Sequence, residues 1–130
     1  MAWLYAPDTK INNVVAQGKD NRYYLHHLLN GTKANAGTLF VDAKNKGDFS
    51  DWNTIIYGHH MKNGTMFGSL EEYEDQKYYN KHKDMYLYTP KKSYKLQLIA
   101  GYTTDTKNRV YSVVQTKEER DEIFRRHGMW

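Results

Sequence analysis

Short apolar runs separated by polar turns dominate this chain, and this pattern is typical of β-strands rather than of long helices. Four such runs precede residue 58, at residues 3–5, 11–15, 37–45 and 54–57. Two further runs, Met85–Tyr88 and Tyr94–Tyr102, flank a turn at residues 90–93 and predict the clearest hairpin. The pattern therefore predicts a mixed sheet or a small barrel.

The first helical signal lies near the N-terminus. Residues 21–30 (NRYYLHHLLN) repeat apolar side chains at helical spacing. Asp20 can cap the start of this segment, and the pair Asn30-Gly31 is a good stop signal. We therefore expect an N-terminal helix before the central strands.

Two other regions of the chain predict helical structure. Residues 65–75 predict a short helix after a glycine-containing loop, and residues 76–84 are polar and either irregular or a helical turn. Residues 116–126 predict a charged helix, because Thr116 and Glu119 have the spacing of a capping box. These helices would lie at the edges of the sheet.

Composition narrows the class of protein. The 130 residues fit one domain, and 12 Tyr against 4 Phe and 3 Trp favour β structure. A net charge of +4, with 19 basic and 15 acidic residues interleaved, gives no arm or patch that requires nucleic acid. The absence of cysteine excludes a disulfide scaffold and any thiolate chemistry by this chain alone.

The most unusual stretch is NTIIYGHHMKNGTMFGSL, residues 53–70, in which His59 and His60 directly follow the strand-like end Tyr57-Gly58. A histidine at a strand end is most often a packed polar tip. Adjacent strand residues point to opposite faces, so this pair cannot easily chelate one ion, and the other histidines show no ligand spacing. The sequence therefore predicts no metal site and leaves a structural and a catalytic role open for His59.

Four stretches in this order resemble class B sortases: AWLYAPDTKINNVVAQGKDNRYYLHH, GTLFVDAKN, FSDWNTIIYGHHMKNGTMFGSL and MYLYTP. These enzymes are the transpeptidases of Gram-positive bacteria that join proteins to the cell wall, and the resemblance covers residues 2 to about 125. It implies a mainly β fold with flanking helices, namely an eight-stranded sortase-type β-barrel with an N-terminal helical segment. Residues 1–130 would form a single sortase-like domain, incomplete at the C-terminus.

The resemblance also implies a catalytic set of His, Cys and Arg and no cofactor. The family's histidine follows the pair Tyr-Gly at the end of the fourth strand, which here is His59. Tyr57, Asn21 and Leu25 match positions that line the groove for the sorting signal. Helical spacing independently places Asn21 and Leu25 on one helix face, although a cap residue and a core leucine are equally consistent with the pattern.

The chain departs from the family at its C-terminal end. The strand with the cysteine and the strand with the arginine would follow residue 130, and Arg120, Arg125 and Arg126 do not match the catalytic arginine. We therefore expect a sortase fragment that lacks the last two strands and is inactive as it stands. The alternatives are a catalytically dead sortase-fold module that binds a sorting peptide or a partner, and a barrel-type binder of nucleic acid or polysaccharide.

The implied partners are the sorting-signal peptide of surface proteins and the amine of a peptidoglycan precursor, without nucleic acid. The implied location is the extracellular face of the plasma membrane or the cell wall of a Gram-positive bacterium. The anchor would be a segment absent from these 130 residues. Missing strands would leave open sheet edges, which predicts a homo-oligomer through those edges.

Overall fold

The computed structural model describes residues 1–99. In chain order its elements are β1 (Ala2–Tyr5), β2 (Asn12–Ala16), a 3-10 helix (Tyr23–Leu25), β3 (Leu39–Val41), β4 (Ile56–Tyr57), a second 3-10 helix (Gly68–Glu74), α1 (Gln76–Lys81), β5 (Asp84–Tyr88) and β6 (Ser93–Gln97). This part of the chain is mainly β, as the apolar pattern predicts. The predicted helix at 116–126 and the end of the predicted return strand lie outside the described residues.

The six strands form one sheet in the order β4-β3-β2-β1-β5-β6. β2 and β3 pair in parallel, and the other neighbouring strands pair antiparallel. The first strand of the chain therefore lies in the middle of the sheet, where Leu4 is opposite Asn13 on one side and Leu87 on the other.

The core draws on neighbouring strands of this sheet. Leu4, Val15, Leu39 and Leu87 belong to one buried apolar cluster. The alternation along β1 explains the division between faces, because Ala2 and Leu4 are buried while Trp3 between them is exposed. Burial of this apolar face is the main favourable term in forming the sheet.

The predicted strands are present but shorter than expected. Residues 37–45 reduce to β3, because the chain turns directly after it, where the Asn45 N–H donates to the Asp42 carbonyl (2.9 Å). Residues 54–57 reduce to β4. The predicted hairpin is confirmed, with β5 and β6 paired from Asp84 opposite Gln97 to Tyr88 opposite Ser93.

The predicted helix over residues 21–30 is wrong. Only Tyr23–Leu25 are helical, as a single 3-10 turn, and His26 leaves helical geometry at φ −134°. The His26 carbonyl accepts from the Ala34 N–H (2.9 Å) instead of from a residue of the same helix. Gly31 takes φ +86°, so the predicted helix stop is a turn that folds the chain back.

The start signal of this segment is correct, but the spacing of its apolar residues does not mark a buried helix face. Asp20 does act at the start of the segment, since its carboxylate accepts from the N–H groups of Arg22 and Tyr23, both at 2.9 Å. Leu28 and Leu29, however, are 39% and 44% exposed. Their periodic spacing therefore does not correspond to a buried helix face.

The later helical predictions fare better. The helix predicted at residues 65–75 is the 3-10 helix Gly68–Glu74, and the segment 76–84 begins with α1. Asp75 caps α1, because its side chain accepts from the Lys77 N–H (3.0 Å). Within residues 1–99, no helix combines the length and apolar character needed to cross a membrane.

Candidate active site

The segment that carries the paired histidines begins at the end of β4. Tyr57 pairs with Phe40 of β3, and Gly58 follows directly. A Cβ at Gly58 would overlap the side chains of Leu39 and Phe67. Glycine is required here by close packing, and this packing fixes where His59 leaves the sheet.

His59 is half-buried and has a backbone partner. Its Nε2 lies 2.6 Å from the carbonyl oxygen of Leu25. The ring centroid lies 5.3 Å from that of His26, and the His59 carbonyl accepts from the Phe67 N–H at 2.9 Å. The contact with Leu25 therefore holds the His59 ring beside the first 3-10 turn.

His60 lies in a different environment. Its side chain is 58% exposed, and its Nε2 lies 3.1 Å from the Glu71 carboxylate. Its backbone forms an isolated bridge with Met66. The two neighbouring histidines therefore contact different segments, although β4 ends at Tyr57 and neither histidine belongs to it.

Tyr57 and Asn21 meet at a buried carboxylate. The Tyr57 hydroxyl donates to Asp42 Oδ2 at 2.7 Å, and Asn21 Oδ1 accepts from the Ala43 N–H at 2.7 Å. The Asn21 side chain also contributes to the lowered pKa of Asp42. Two positions matched to the sorting-signal groove are thereby held by the adjacent residues Asp42 and Ala43.

These contacts shift two pKa values in opposite directions. Burial, followed by the hydrogen bond to Asp42 and its charge, raises the pKa of Tyr57 to about 12. For Asp42, burial favours the protonated acid, but hydrogen bonds from Lys44, Tyr57 and Asn21 outweigh it and lower the pKa. At neutral pH the phenol is therefore a donor and the carboxylate an acceptor.

The structure brings the sequence-predicted residues together, although not by the predicted route. Asn21 precedes the 3-10 turn and Leu25 ends it, so the expected common helix face does not exist. Leu25 contacts His59 through its backbone carbonyl, and the Asn21 and Tyr57 side chains hydrogen-bond to the adjacent residues Ala43 and Asp42.

Sequence reasoning missed two residues beside this site, Asp42 and His26. Asp42 directly follows β3. In the sequence alone, an acidic residue at the end of a buried strand is indistinguishable from an ordinary turn residue. The only sequence signal for His26 is its membership of a second histidine pair with His27. Within residues 1–99, no group of three or more His, Cys, Asp or Glu side chains could hold a metal ion.

Comparison with known proteins identifies the class. The model of the sortase domain matches residues 4–124, which is nearly the whole chain, and the chain therefore belongs to the sortase family. Within that family its relatives are class B sortases. Sortase B of Listeria monocytogenes is 42% identical over 106 residues, which cover 82% of this chain and 43% of that protein. Sortase B of Staphylococcus aureus is 34% identical over 124 residues, covering 95% and 50% respectively.

Solved structures agree with this class. A 2.0 Å crystal structure of S. aureus sortase B superposes with a TM-score of 0.90 at 31% identity, covering 96% of this chain and 60% of that one. Sortase B from L. monocytogenes gives 0.87 at 35% identity, covering 96% and 72%. The sortase-type fold expected from the motifs is thus confirmed. The chain spans about half the length of the curated relatives that it matches.

Proposed function

We propose that this chain forms the histidine-bearing part of a sortase B-type cysteine transpeptidase. Such an enzyme cleaves the cell-wall sorting signal of a surface protein and joins that surface protein to peptidoglycan. His59 would be the catalytic histidine, and Tyr57, Asn21 and Leu25 would line the groove. One observation supports this assignment above the others. The His59 ring contacts the Leu25 carbonyl at 2.6 Å, so the candidate catalytic residue and a candidate groove residue touch.

The proposed chemistry assigns a proton-transfer role to His59. A cysteine thiolate attacks the carbonyl carbon of the sorting signal and forms an acyl-enzyme. The imidazole protonates the leaving amine and later takes a proton from the incoming amine, because imidazoles exchange protons near neutral pH. An arginine stabilises the negative charge that develops on the carbonyl oxygen. These 130 residues contain no cysteine, so we expect no turnover from the chain as it stands.

The absence of cysteine also favours a second candidate function. A sortase-fold module with a groove but no nucleophile would bind a sorting peptide or a partner without cleaving it. Binding without turnover, even after the nucleophile is supplied, would distinguish this module from the transpeptidase.

The proposal extends to partners and location. The substrates would be the sorting-signal peptide of surface proteins and the amine of a peptidoglycan precursor. The site of action would be the outer face of the plasma membrane or the cell wall of a Gram-positive bacterium. A homologue in this class has been solved as a sortase B–substrate complex, at 31% identity to this chain and with a TM-score of 0.90.

The test is to supply the nucleophile. We would join this chain to the C-terminal segment of the L. monocytogenes relative, which by the family's pattern would supply the cysteine and the arginine. Cleavage of a quenched sorting-signal peptide would then be measured with and without an amine acceptor. We expect turnover from the chimera and none from the 130-residue chain.

His59→Ala and His60→Ala are the matched pair for the catalytic assignment. We expect His59→Ala to abolish turnover of the chimera and His60→Ala to preserve most of it, because the exposed His60 contacts Glu71 and not the groove segment. Equal losses in both variants would contradict the role given to His59. Peptide binding by a folded chimera that never cleaves would favour the binding module.

A further inference from the structure

Asp42 is the residue on which the candidate groove converges. It follows β3 directly and is only 5% exposed. Its backbone is fixed on both sides, since its N–H donates to the Ile55 carbonyl (2.9 Å) and its carbonyl accepts from Gln17 Nε2 (3.1 Å). The carboxylate is therefore held in one place by loops on either side.

The donors to this carboxylate come from distant parts of the chain. Oδ1 accepts from the Lys44 N–H at 2.9 Å, and Oδ2 accepts from the Tyr57 hydroxyl at 2.7 Å. Asn21 lies beside this carboxylate, since its Oδ1 accepts from the N–H of the next residue, Ala43, at 2.7 Å. Lys44 belongs to the local turn, whereas Tyr57 and Asn21 are side chains matched to the groove.

We propose that Asp42 is a positioning residue for recognition of the sorting peptide, because its carboxylate holds the Tyr57 hydroxyl beside the Asn21 side chain, which the N–H of the next residue, Ala43, holds in place. This inference rests on the proposed function. Asp42 acts through Tyr57 and does not itself touch the peptide.

The geometry also determines what the groove can offer to a peptide. With its proton donated to Asp42, the Tyr57 hydroxyl presents its oxygen as an acceptor. Asn21 uses its oxygen on the Ala43 N–H, which leaves its amide NH₂ as a donor. An acceptor and a donor held side by side by Asp42 and Ala43 suit a peptide group, which carries one donor and one acceptor of its own.

The test compares two carboxylate-to-amide changes in the same loop. Asp42→Asn keeps the shape but replaces a charged acceptor by a neutral one. Asp51→Asn is the matched control, because Asp51 accepts from Asn45 Nδ2 and the Lys46 N–H, both at 2.8 Å, and contacts no groove residue. Binding of a sorting-signal peptide is measured by fluorescence anisotropy on the chain, and kcat and KM are measured on the chimera.

We expect Asp42→Asn to weaken peptide binding about tenfold, because the misplaced groove groups would lose their hydrogen bonds to the peptide. KM should rise by the same factor, and kcat should be nearly unchanged. Asp51→Asn should leave both constants within about twofold. Tyr57→Phe, which removes the same hydrogen bond from its other end, should weaken binding to a similar extent. The double variant Asp42→Asn/Tyr57→Phe should lose less than the product of the two single effects.

A second measurement reports on the positioning without any peptide. In the chain labelled with ¹³C at tyrosine Cζ, the Tyr57 resonance is assigned by its loss in Tyr57→Phe. Asp42→Asn should shift that resonance and lower the pH at which the phenol ionises, whereas Asp51→Asn should not. This readout is also available if one variant is too unstable for the binding assay.

The outcomes separate the inference from the function on which it rests. An unchanged Tyr57 resonance in Asp42→Asn would overturn the positioning role, even if the chimera cleaves its peptide. Unchanged peptide affinity in both Asp42→Asn and Tyr57→Phe would overturn it as well. A shifted resonance in a protein that binds no sorting peptide in any form would overturn the peptide-recognition role together with the proposed function, and would leave only the hydrogen-bond network.

Discussion

Replacement of Gly58 by alanine is the sharpest test of how the site is built. The new methyl group would overlap the side chain of Leu39, which is fully buried in the core, and that of Phe67, where the nearest ring carbon is 2.6 Å away. Gly58 does not need the left-handed backbone region, so the change adds volume without backbone strain.

The size of the effect follows from two opposing terms. Inserting a methyl group into a well-packed core costs about 1–3 kcal/mol. Alanine also restricts the unfolded chain relative to glycine, which stabilises the native state by about 0.4–1 kcal/mol where the backbone can accept it. We therefore expect Gly58→Ala to lower the free energy of unfolding by about 1–2 kcal/mol. Because His59 is the next residue, its 2.6 Å contact with Leu25 should lengthen.

Urea unfolding of the chain measures the first effect, and the His59 ring resonances measure the second. Gly18→Ala is the matched control, because the nearest atoms to its new methyl group are in the Tyr24 ring at 3.3 and 3.4 Å. It should leave stability unchanged or raise it by no more than about 1 kcal/mol, because restriction of the unfolded chain offsets the small shift that the Tyr24 ring must make. Leu39→Val should partly relieve Gly58→Ala, so the double variant should be more stable than additivity predicts. Unchanged stability and unchanged His59 resonances in Gly58→Ala would refute this account of the packing.

Two further predictions concern pH and self-association. The pKa values of Asp42 and Asp51 lie below the ordinary 3.8. Burial alone would raise the pKa of Asp42, but hydrogen bonds to its carboxylate outweigh burial. The pKa of Asp51 is lowered chiefly by the hydrogen bond from Asn45. The stabilisation that these two carboxylates provide is therefore complete above pH 3.8 and is lost as the pH falls through their folded pKa values. Asp42→Asn should therefore flatten the acid side of a curve of unfolding free energy against pH, measured by urea unfolding. An unchanged acid slope would contradict this. Within the described sheet the edge strands are β4 and β6. Because open edges invite strand addition, sedimentation should detect dimers or larger species. A monomer whose melting temperature does not vary with concentration would exclude self-association.

The strand pattern was predictable because alternation and turn chemistry are local. Trp3 and Leu4 differ in burial as a period of two requires, and the β5–β6 hairpin has its predicted turn, closed by a hydrogen bond from the Thr89 N–H to the Lys92 carbonyl (2.8 Å). The position of His59 at a strand end follows from the same local signals. Strand order does not, because nothing in the sequence of β1 indicates that β5 will be its second neighbour.

The prediction of an N-terminal helix was wrong for a reason that lies outside the sequence of residues 21–30. The backbone of residues 21–30 finds partners elsewhere, such as the Tyr24 carbonyl, which accepts from the Thr38 N–H at 2.8 Å. Tertiary hydrogen bonds of this kind override a weak helical preference. Asp42 was missed for the same reason, since its importance depends on Tyr57 and Asn21, which are distant in sequence.

The central place of β1 has a consequence for how the chain acquires its structure during synthesis. β1 can pair with β2 as soon as residue 16 is available, but its other partner includes Leu87 and Tyr88. Bringing residues so far apart into register requires closure of a long loop, and such non-local contacts form slowly. Until β5 has been synthesised, one side of β1 is therefore unpaired and open to wrong association.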